Sequence, residues 1–210
     1  GYSLFGLSLM AALVSAVPSC ALLPHIEQAP TFETHSDELA VLTYNVYGFP
    51  LFEELQRPER FRTIKDELRS RLADIDVVLL QEAFIPSTRV LRKARRHAFG
   101  GACGEGVSFN PTGLVLLSDH EALGGVSSFA FVEDSGGKWH MRAESELDCD
   151  GLAARRRPLK GVMSLTLATA QGPVDVVNVH LDVKAEARRE QKRLLSRFLE
   201  ERQSGNPLVL

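Results

Sequence analysis

Cysteine and basic charge are both in short supply in this sequence. Three cysteines in 210 residues are too few for a disulfide scaffold, and their spacing fits no zinc pattern. A formal net charge of −3 provides no general attraction for polyanions, so a nucleic-acid partner is disfavoured. With 44% hydrophobic and 24% charged residues, the composition excludes disorder and collagen-like repeats. The fold must therefore depend on its hydrophobic core.

Lys and Arg are absent before residue 57. Within that stretch, residues 4–17 form an apolar run that is shorter than the roughly 20 residues of a membrane span and has the length of a signal-peptide core. Cys20 follows in a loose lipoprotein cleavage box; cleavage after Ala16 and a buried N-terminal helix are the alternatives. We expect residues 1–24 to be a signal peptide or lipoprotein leader and residues 25–38 a polar tether. The protein is then exported, as a cell-envelope lipoprotein or a secreted protein, and lipidation of Cys20 stays open.

The hydrophobic pattern of residues 39–210 predicts one α/β domain. Helices are expected from Pro58, after a cap at Ser87, and over residues 186–202. Strands are expected over residues 39–46, 76–81, 113–118 and 126–132, with a hairpin from 163–167 to 174–181. Mixed helices and strands with at least one antiparallel pair favour a two-sheet core.

Polar side chains follow three of these apolar strands. Asn45 ends the first strand, Glu82 ends the second, and Asn178 and His180 share one face of a later strand. Each has a plain structural alternative: a turn cap for Asn45, a surface acid or arginine partner for Glu82, and a hydrogen-bonded structural histidine for His180. Together they indicate a site at one edge of the sheets. A carboxylate there needs a positive partner, and hard oxygen donors suit Mg²⁺.

The motifs around these residues, in their sequence and their order along the chain, resemble those of the endonuclease/exonuclease/phosphatase superfamily over residues 39–210. The strings are YNVYGFP at 44–50, QEAF at 81–84, GL at 113–114, LS at 117–118, KGV at 160–162 and NVHL at 178–181. The first two are most similar to the neutral sphingomyelinase and bacterial sphingomyelinase C branch.

That resemblance implies a fold and a site. The fold is a four-layer α/β/β/α sandwich of two mainly antiparallel sheets. Glu82 and Asn45 are expected to hold Mg²⁺, with His180, Asn45 and Asn178 as catalytic residues and Lys160 at the substrate phosphate. A Gly-Asp-x-Asn motif and a final His are expected after a strand like residues 208–210. We therefore expect this chain to hold the N-terminal part of a domain that is incomplete at its C-terminus, and on its own to be inactive and marginally folded.

The expected function of the intact protein is Mg²⁺-dependent hydrolysis of a phospholipid head group, with a sphingomyelin-like substrate favoured and a membrane surface as a possible partner. The alternatives are a nuclease or soluble phosphoesterase of the same superfamily and a non-catalytic envelope lipoprotein. Residues 155–157 are interpreted as a solvated arginine loop, with binding of a phosphate or an anionic head group together with Lys160 as the alternative. Pairing of Cys103 with Cys149 and the oligomeric state stay open.

Overall fold

The computed structural model describes residues 38–48, 57–100, 110–148, 152, 158–202 and 204–210. The predicted leader, nearly all of the tether and the three cysteines lie outside the described residues. So do residues 155–157, the interpreted arginine loop. Over the described part of the chain, no helix has the length and apolarity to cross a membrane.

Two mixed sheets form the centre of the domain. The first has the strand order β1-β2-β4-β3 and the second β6-β5-β7-β8-β9. The strands of the first sheet are β1 (Val41–Gly48), β2 (Val77–Ala83), β3 (His97–Gly100) and β4 (Val115–Ser118). Those of the second are β5 (Ser127–Glu133), β6 (Trp139–Ala143), β7 (Lys160–Thr169), β8 (Gly172–His180) and β9 (Leu208–Val209). Only β1-β2 and β8-β9 pair in parallel within the described sheets.

Helices cover the outer faces of the two sheets. Helix α1 (Pro58–Arg69) begins at a proline, whose fixed φ suits the first helical position, and α2 spans Ala185–Glu201. The predicted cap at Ser87 is wrong. Residues Pro86–Ala94 form a 3₁₀ helix whose N-cap is the extended Ile85, with no side-chain capping bond. A shorter 3₁₀ turn covers Glu144–Glu146.

The alternation of side chains along β2 shows why the structure has four layers. Val78 and Leu80 belong to a cluster with Phe61 of α1 and Leu91 of the 3₁₀ helix. Val77 and Leu79 point the other way, into the core between the sheets, where they join buried residues of β4, β7 and β8. A third cluster lies between the second sheet and α2. The predicted α/β/β/α sandwich of two mainly antiparallel sheets is confirmed.

The predicted hairpin is present as β7 and β8, and β9 is added beyond β8 at the edge of the second sheet. Strand β9 is short and partly exposed within the described residues. Leu208 is 50% and Leu210 is 60% exposed, because β8 covers β9 along one side only.

Asp175 on β8 anchors the segment that leads into β9. Its buried carboxylate accepts hydrogen bonds from the Thr166 hydroxyl at 2.6 Å, from the Ser204 hydroxyl and from the Asn206 amide. Burial raises the pKa of Asp175, but these hydrogen bonds and the charge of Arg202 outweigh it and leave the pKa below its ordinary value.

We predict that Asp175→Asn lowers the free energy of unfolding by about 1–3 kcal/mol at neutral pH. A depressed pKa contributes stability above the unfolded-state pKa, about 3.9, and that contribution is lost as pH falls through the folded-state pKa. Urea unfolding at pH 7 and at pH 3 should therefore show a smaller difference between wild type and variant at pH 3. An equal difference at both pH values contradicts this, and Asp74→Asn, at an exposed position, serves as the control.

Candidate active site

Three charged or titratable side chains from two different sheets meet at one edge of the sandwich. The Glu82 Oε1 atom, at the end of β2, lies 3.6 Å from Lys160 Nζ and 3.4 Å from His180 Nε2. Lys160 Nζ donates to His180 Nε2 at 2.7 Å. All three side chains are largely buried, with exposures of 13–19%. These three residues are the candidate site.

Strand register places the members of the candidate site. Lys160 is the first residue of β7 and His180 the last of β8, and the antiparallel ladder pairs Gly161 with His180. Lys160 and His180 are therefore neighbours across the second sheet. Glu82 comes from the first sheet, two residues after the buried run VVLL of β2. Sequence reasoning from apolar strands with polar ends found Glu82 and His180, whereas Lys160 was found through the resemblance alone.

A pair of side-chain amides ties the two sheets together behind the candidate site. Asn178 is fully buried; its amide donates to the backbone carbonyls of Leu80 at 2.9 Å and Val115 at 3.0 Å. Its Oδ1 accepts a bond from Gln81 Nε2 at 2.8 Å. The structure thus places the predicted catalytic Asn178 between the sheets, one layer behind the surface, where it holds strands.

Asn45 lies on β1 opposite Gln81 in the parallel ladder, at an exposed position. Its Oδ1 accepts the backbone N–H of Tyr47 at 2.9 Å, which is the turn-capping role that was its structural alternative. The same register puts Asn45 on the strand next to Glu82. The structure therefore brings together Glu82, Lys160 and His180, with Asn45 on the adjoining strand.

The backbone at the candidate site is strained. Tyr47 has a φ of +53° and Glu82 a φ of +59°, a left-handed conformation that side chains other than glycine rarely adopt. Each such conformation costs of order 1–3 kcal/mol of folding free energy, and such conformations are most frequent at functional sites. Sequence reasoning missed this feature because neither position carries the glycine or asparagine that signals it.

No family model and no curated protein matches the sequence. Several solved structures match its fold. They include the hairpin-deletion mutant of beta toxin from Staphylococcus aureus, with 16% identity, a TM-score of 0.53, and coverage of 80% of this chain and 63% of that one. Sphingomyelinase C from Streptomyces griseocarneus matches with 20% identity, a TM-score of 0.50, and coverage of 78% and 59%. TDP2 from C. elegans matches with 14% identity, a TM-score of 0.54, and coverage of 80% and 44%.

The chain shares the four-layer sandwich fold of these structures. It spans less than two thirds of the length of each of these three structures. The likeness confirms the fold that the resemblance implied.

Burial and neighbouring charges set the protonation states of the side chains at this edge of the sandwich. Burial, then the Lys160 ammonium, lower the pKa of His180 to about 3 against an opposing effect of Asp182. The imidazole is therefore neutral at pH 7, and its approach to Glu82 is not an ion pair. Burial also lowers the pKa of Lys160, although Glu82 and Asp182 oppose this. Lys160 keeps donors available for an anion.

The side chains at the candidate site can be compared with what the expected Mg²⁺ would require. In the described part of the chain, no group of three or more His, Cys, Asp or Glu side chains is placed to hold a metal ion. Mg²⁺ seldom needs one, since it binds through one or two carboxylates and completes its shell with water and substrate phosphate. Glu82 would supply the carboxylate of such a site, and Asn45 on the adjoining strand an amide oxygen. These residues suit an open Mg²⁺ site.

We predict that Asn178→Leu lowers the free energy of unfolding by about 2–4 kcal/mol, because two buried carbonyls and the Gln81 amide lose their partner. Gln81→Leu, at a partly buried position, should cost less, and the double variant should cost less than the sum of the two. Urea denaturation measures all three. A change below about 0.5 kcal/mol for Asn178→Leu contradicts the bridging role.

Proposed function

We propose that the chain is part of a metal-dependent phosphodiester hydrolase. The observation that supports this best is the meeting of one carboxylate, one ammonium and one neutral imidazole, drawn from both sheets, at a strained edge of the sandwich. Three such groups within 3.6 Å of one another are costly to bury for stability alone. They suit a phosphate ester, whose transition state gathers negative charge on its oxygens.

Each group has a role in the proposed reaction, in which water adds to phosphorus and an alcohol leaves. Lys160 would bind the phosphate through its N–H donors, and His180 would donate a hydrogen bond to a phosphoryl oxygen. Glu82, with Asn45 beside it, would hold Mg²⁺, which when bound supplies charge neutralisation and an acidified water. Asn178 and Gln81 would keep these groups in register from behind.

The proposed substrate is a phospholipid head group of the sphingomyelin type. Support comes from the strings at 44–50 and 81–84 and from the fold shared with a structure named as sphingomyelinase C. The net charge of −3 weighs against DNA, whose backbone attracts basic surfaces.

We predict that Glu82→Gln in the full-length protein lowers kcat/KM by about 100-fold or more, a loss typical of removing one catalytic contact. Phosphocholine release from sphingomyelin vesicles is measured against Mg²⁺ concentration, with a single-stranded DNA substrate in parallel. Glu186→Gln, at an exposed position in the first turn of α2, should keep wild-type rates.

Unchanged turnover and unchanged Mg²⁺ dependence in Glu82→Gln would remove that carboxylate from the site. Turnover of DNA without turnover of sphingomyelin would replace the lipid substrate by a nucleic acid. Absence of Mg²⁺-dependent hydrolysis of every phosphodiester tried would overturn the proposed function.

We also propose that the protein is exported and anchored through acylated Cys20. The intact protein should then partition with membranes and Cys20→Ser should not, because two acyl chains at ~0.8 kcal/mol per buried methylene give stable anchoring. Fractionation of cells and the intact mass of the mature N-terminus test this. A mature protein that still carries residues 1–20 contradicts both routes of export.

A further inference from the structure

Residues 110–113 connect the two sheets immediately beside the candidate site. The carbonyl of Gly113 accepts the N–H of Ala83 at 2.8 Å, and the carbonyl of Pro111 accepts the N–H of Leu159 at 2.8 Å. Ala83 directly follows Glu82, and Leu159 directly precedes Lys160. One four-residue segment therefore holds the backbone on both sides of the contact between Glu82 and Lys160. We call residues 110–113 the spacer segment.

Close packing fixes the spacer segment against both sheets. A Cβ atom at Gly161 would come within 2.6 Å of the Thr112 methyl group, and one at Gly113 would come within 2.6 Å of the Phe84 ring. Gly113 also has a φ of +65°, which a side chain would oppose. Thr112 is fully buried. Thr112 therefore packs directly against the backbone of the strand that begins with Lys160.

A buried carboxyl group holds the spacer segment in place. The Thr112 hydroxyl donates to Glu144 Oε1 at 2.5 Å, and Glu144 is only 3% exposed. Burial raises the pKa of Glu144, while hydrogen bonds from Thr112 oppose that rise. Burying a carboxyl group costs free energy, whereas an apolar side chain at this position would avoid that cost. The hydrogen bond to Thr112 is therefore the interaction that a polar side chain at position 144 provides and an apolar one would not.

We infer that Glu144 is a positioning residue for the Glu82–Lys160–His180 site, acting through Thr112 and the spacer segment. Among the described residues, neither Glu144 nor Thr112 forms a hydrogen bond or an ion pair with the three site residues. Their effect is on the distance between the end of β2 and the start of β7. The catalytic part of this inference rests on the proposed function, but its structural part does not.

Hydrogen exchange tests the structural part without reference to activity. In Thr112→Val, which keeps the shape and removes the hydroxyl, the amides of Ala83 and Leu159 should exchange at least about 10-fold faster relative to the core amide of Val78. Thr112→Ser keeps the hydroxyl and should retain the protection. Glu144→Asp, which withdraws the carboxylate by one methylene, replaces Thr112→Val if that variant does not fold.

A second threonine–carboxylate pair, which lies within the second sheet and away from the spacer segment, serves as the matched control. Thr166, six residues beyond Lys160 on β7, donates to Asp175 at 2.6 Å. Thr166→Val should lower global stability and leave the relative exchange of Ala83 and Leu159 unchanged. Unchanged exchange at both amides in Thr112→Val or Glu144→Asp, or an equal increase in Thr166→Val, overturns the inference.

A kinetic double-mutant cycle tests the catalytic part. Thr112→Val should lower kcat by about 10-fold, since small misplacements of reacting groups are costly, and Thr112→Ser should restore it. In the background Lys160→Met the same change should cost less than about 2-fold, because the residue it positions is already gone. Equal losses in both backgrounds overturn the positioning role. A wild-type protein with no turnover contradicts the proposed function alone, and exchange then decides the inference.

Discussion

The fully buried amide of Asn178 links the two sheets through directed hydrogen bonds. A buried amide without partners costs about 1–3 kcal/mol, and Asn178 meets its need with the carbonyls of Leu80 and Val115 and the side chain of Gln81. All three partners lie on strands β2 and β4 of the opposite sheet. Apolar packing between sheets tolerates small slides, whereas these directed bonds are satisfied by one placement only.

The candidate site inherits its geometry from that placement. Gln81 directly precedes Glu82, and Asn178 lies two residues before His180 on the same face of β8. Fixing the amide pair therefore fixes the carboxylate relative to the imidazole, and the β7–β8 ladder adds Lys160 beside it. The left-handed backbone of Glu82 persists because the β1–β2 ladder and the spacer segment hold it from both sides.

The sequence predicts a strand where its residues are continuously buried or strictly alternate between buried and exposed. It does not predict a strand that is defined only by the strands it pairs with. The run VVLL of β2 and the alternation in β7 predicted both strands, and the polar residues that follow predicted Glu82 and His180. Strand β3 has four half-buried residues, and β6 alternates apolar with polar residues over only five positions. Such short segments are identified as strands by the strands they pair with. The burial of Glu144 was not predicted, because it stands among acidic residues that are exposed to solvent. Only the fold shows that its carboxyl group is buried and bonded to Thr112.

Paramagnetic broadening by Mn²⁺, a stand-in for Mg²⁺, tests the central claim most directly, namely that the meeting of the two sheets makes a metal-dependent phosphodiester site. Mn²⁺ is titrated into the full-length protein while backbone amide resonances are followed. The account predicts saturable broadening centred on residues 82, 160 and 180, from strands of both sheets, which Glu82→Gln weakens by at least about 10-fold in affinity. Broadening centred elsewhere, or broadening that is the same in Glu82→Gln, would contradict the account.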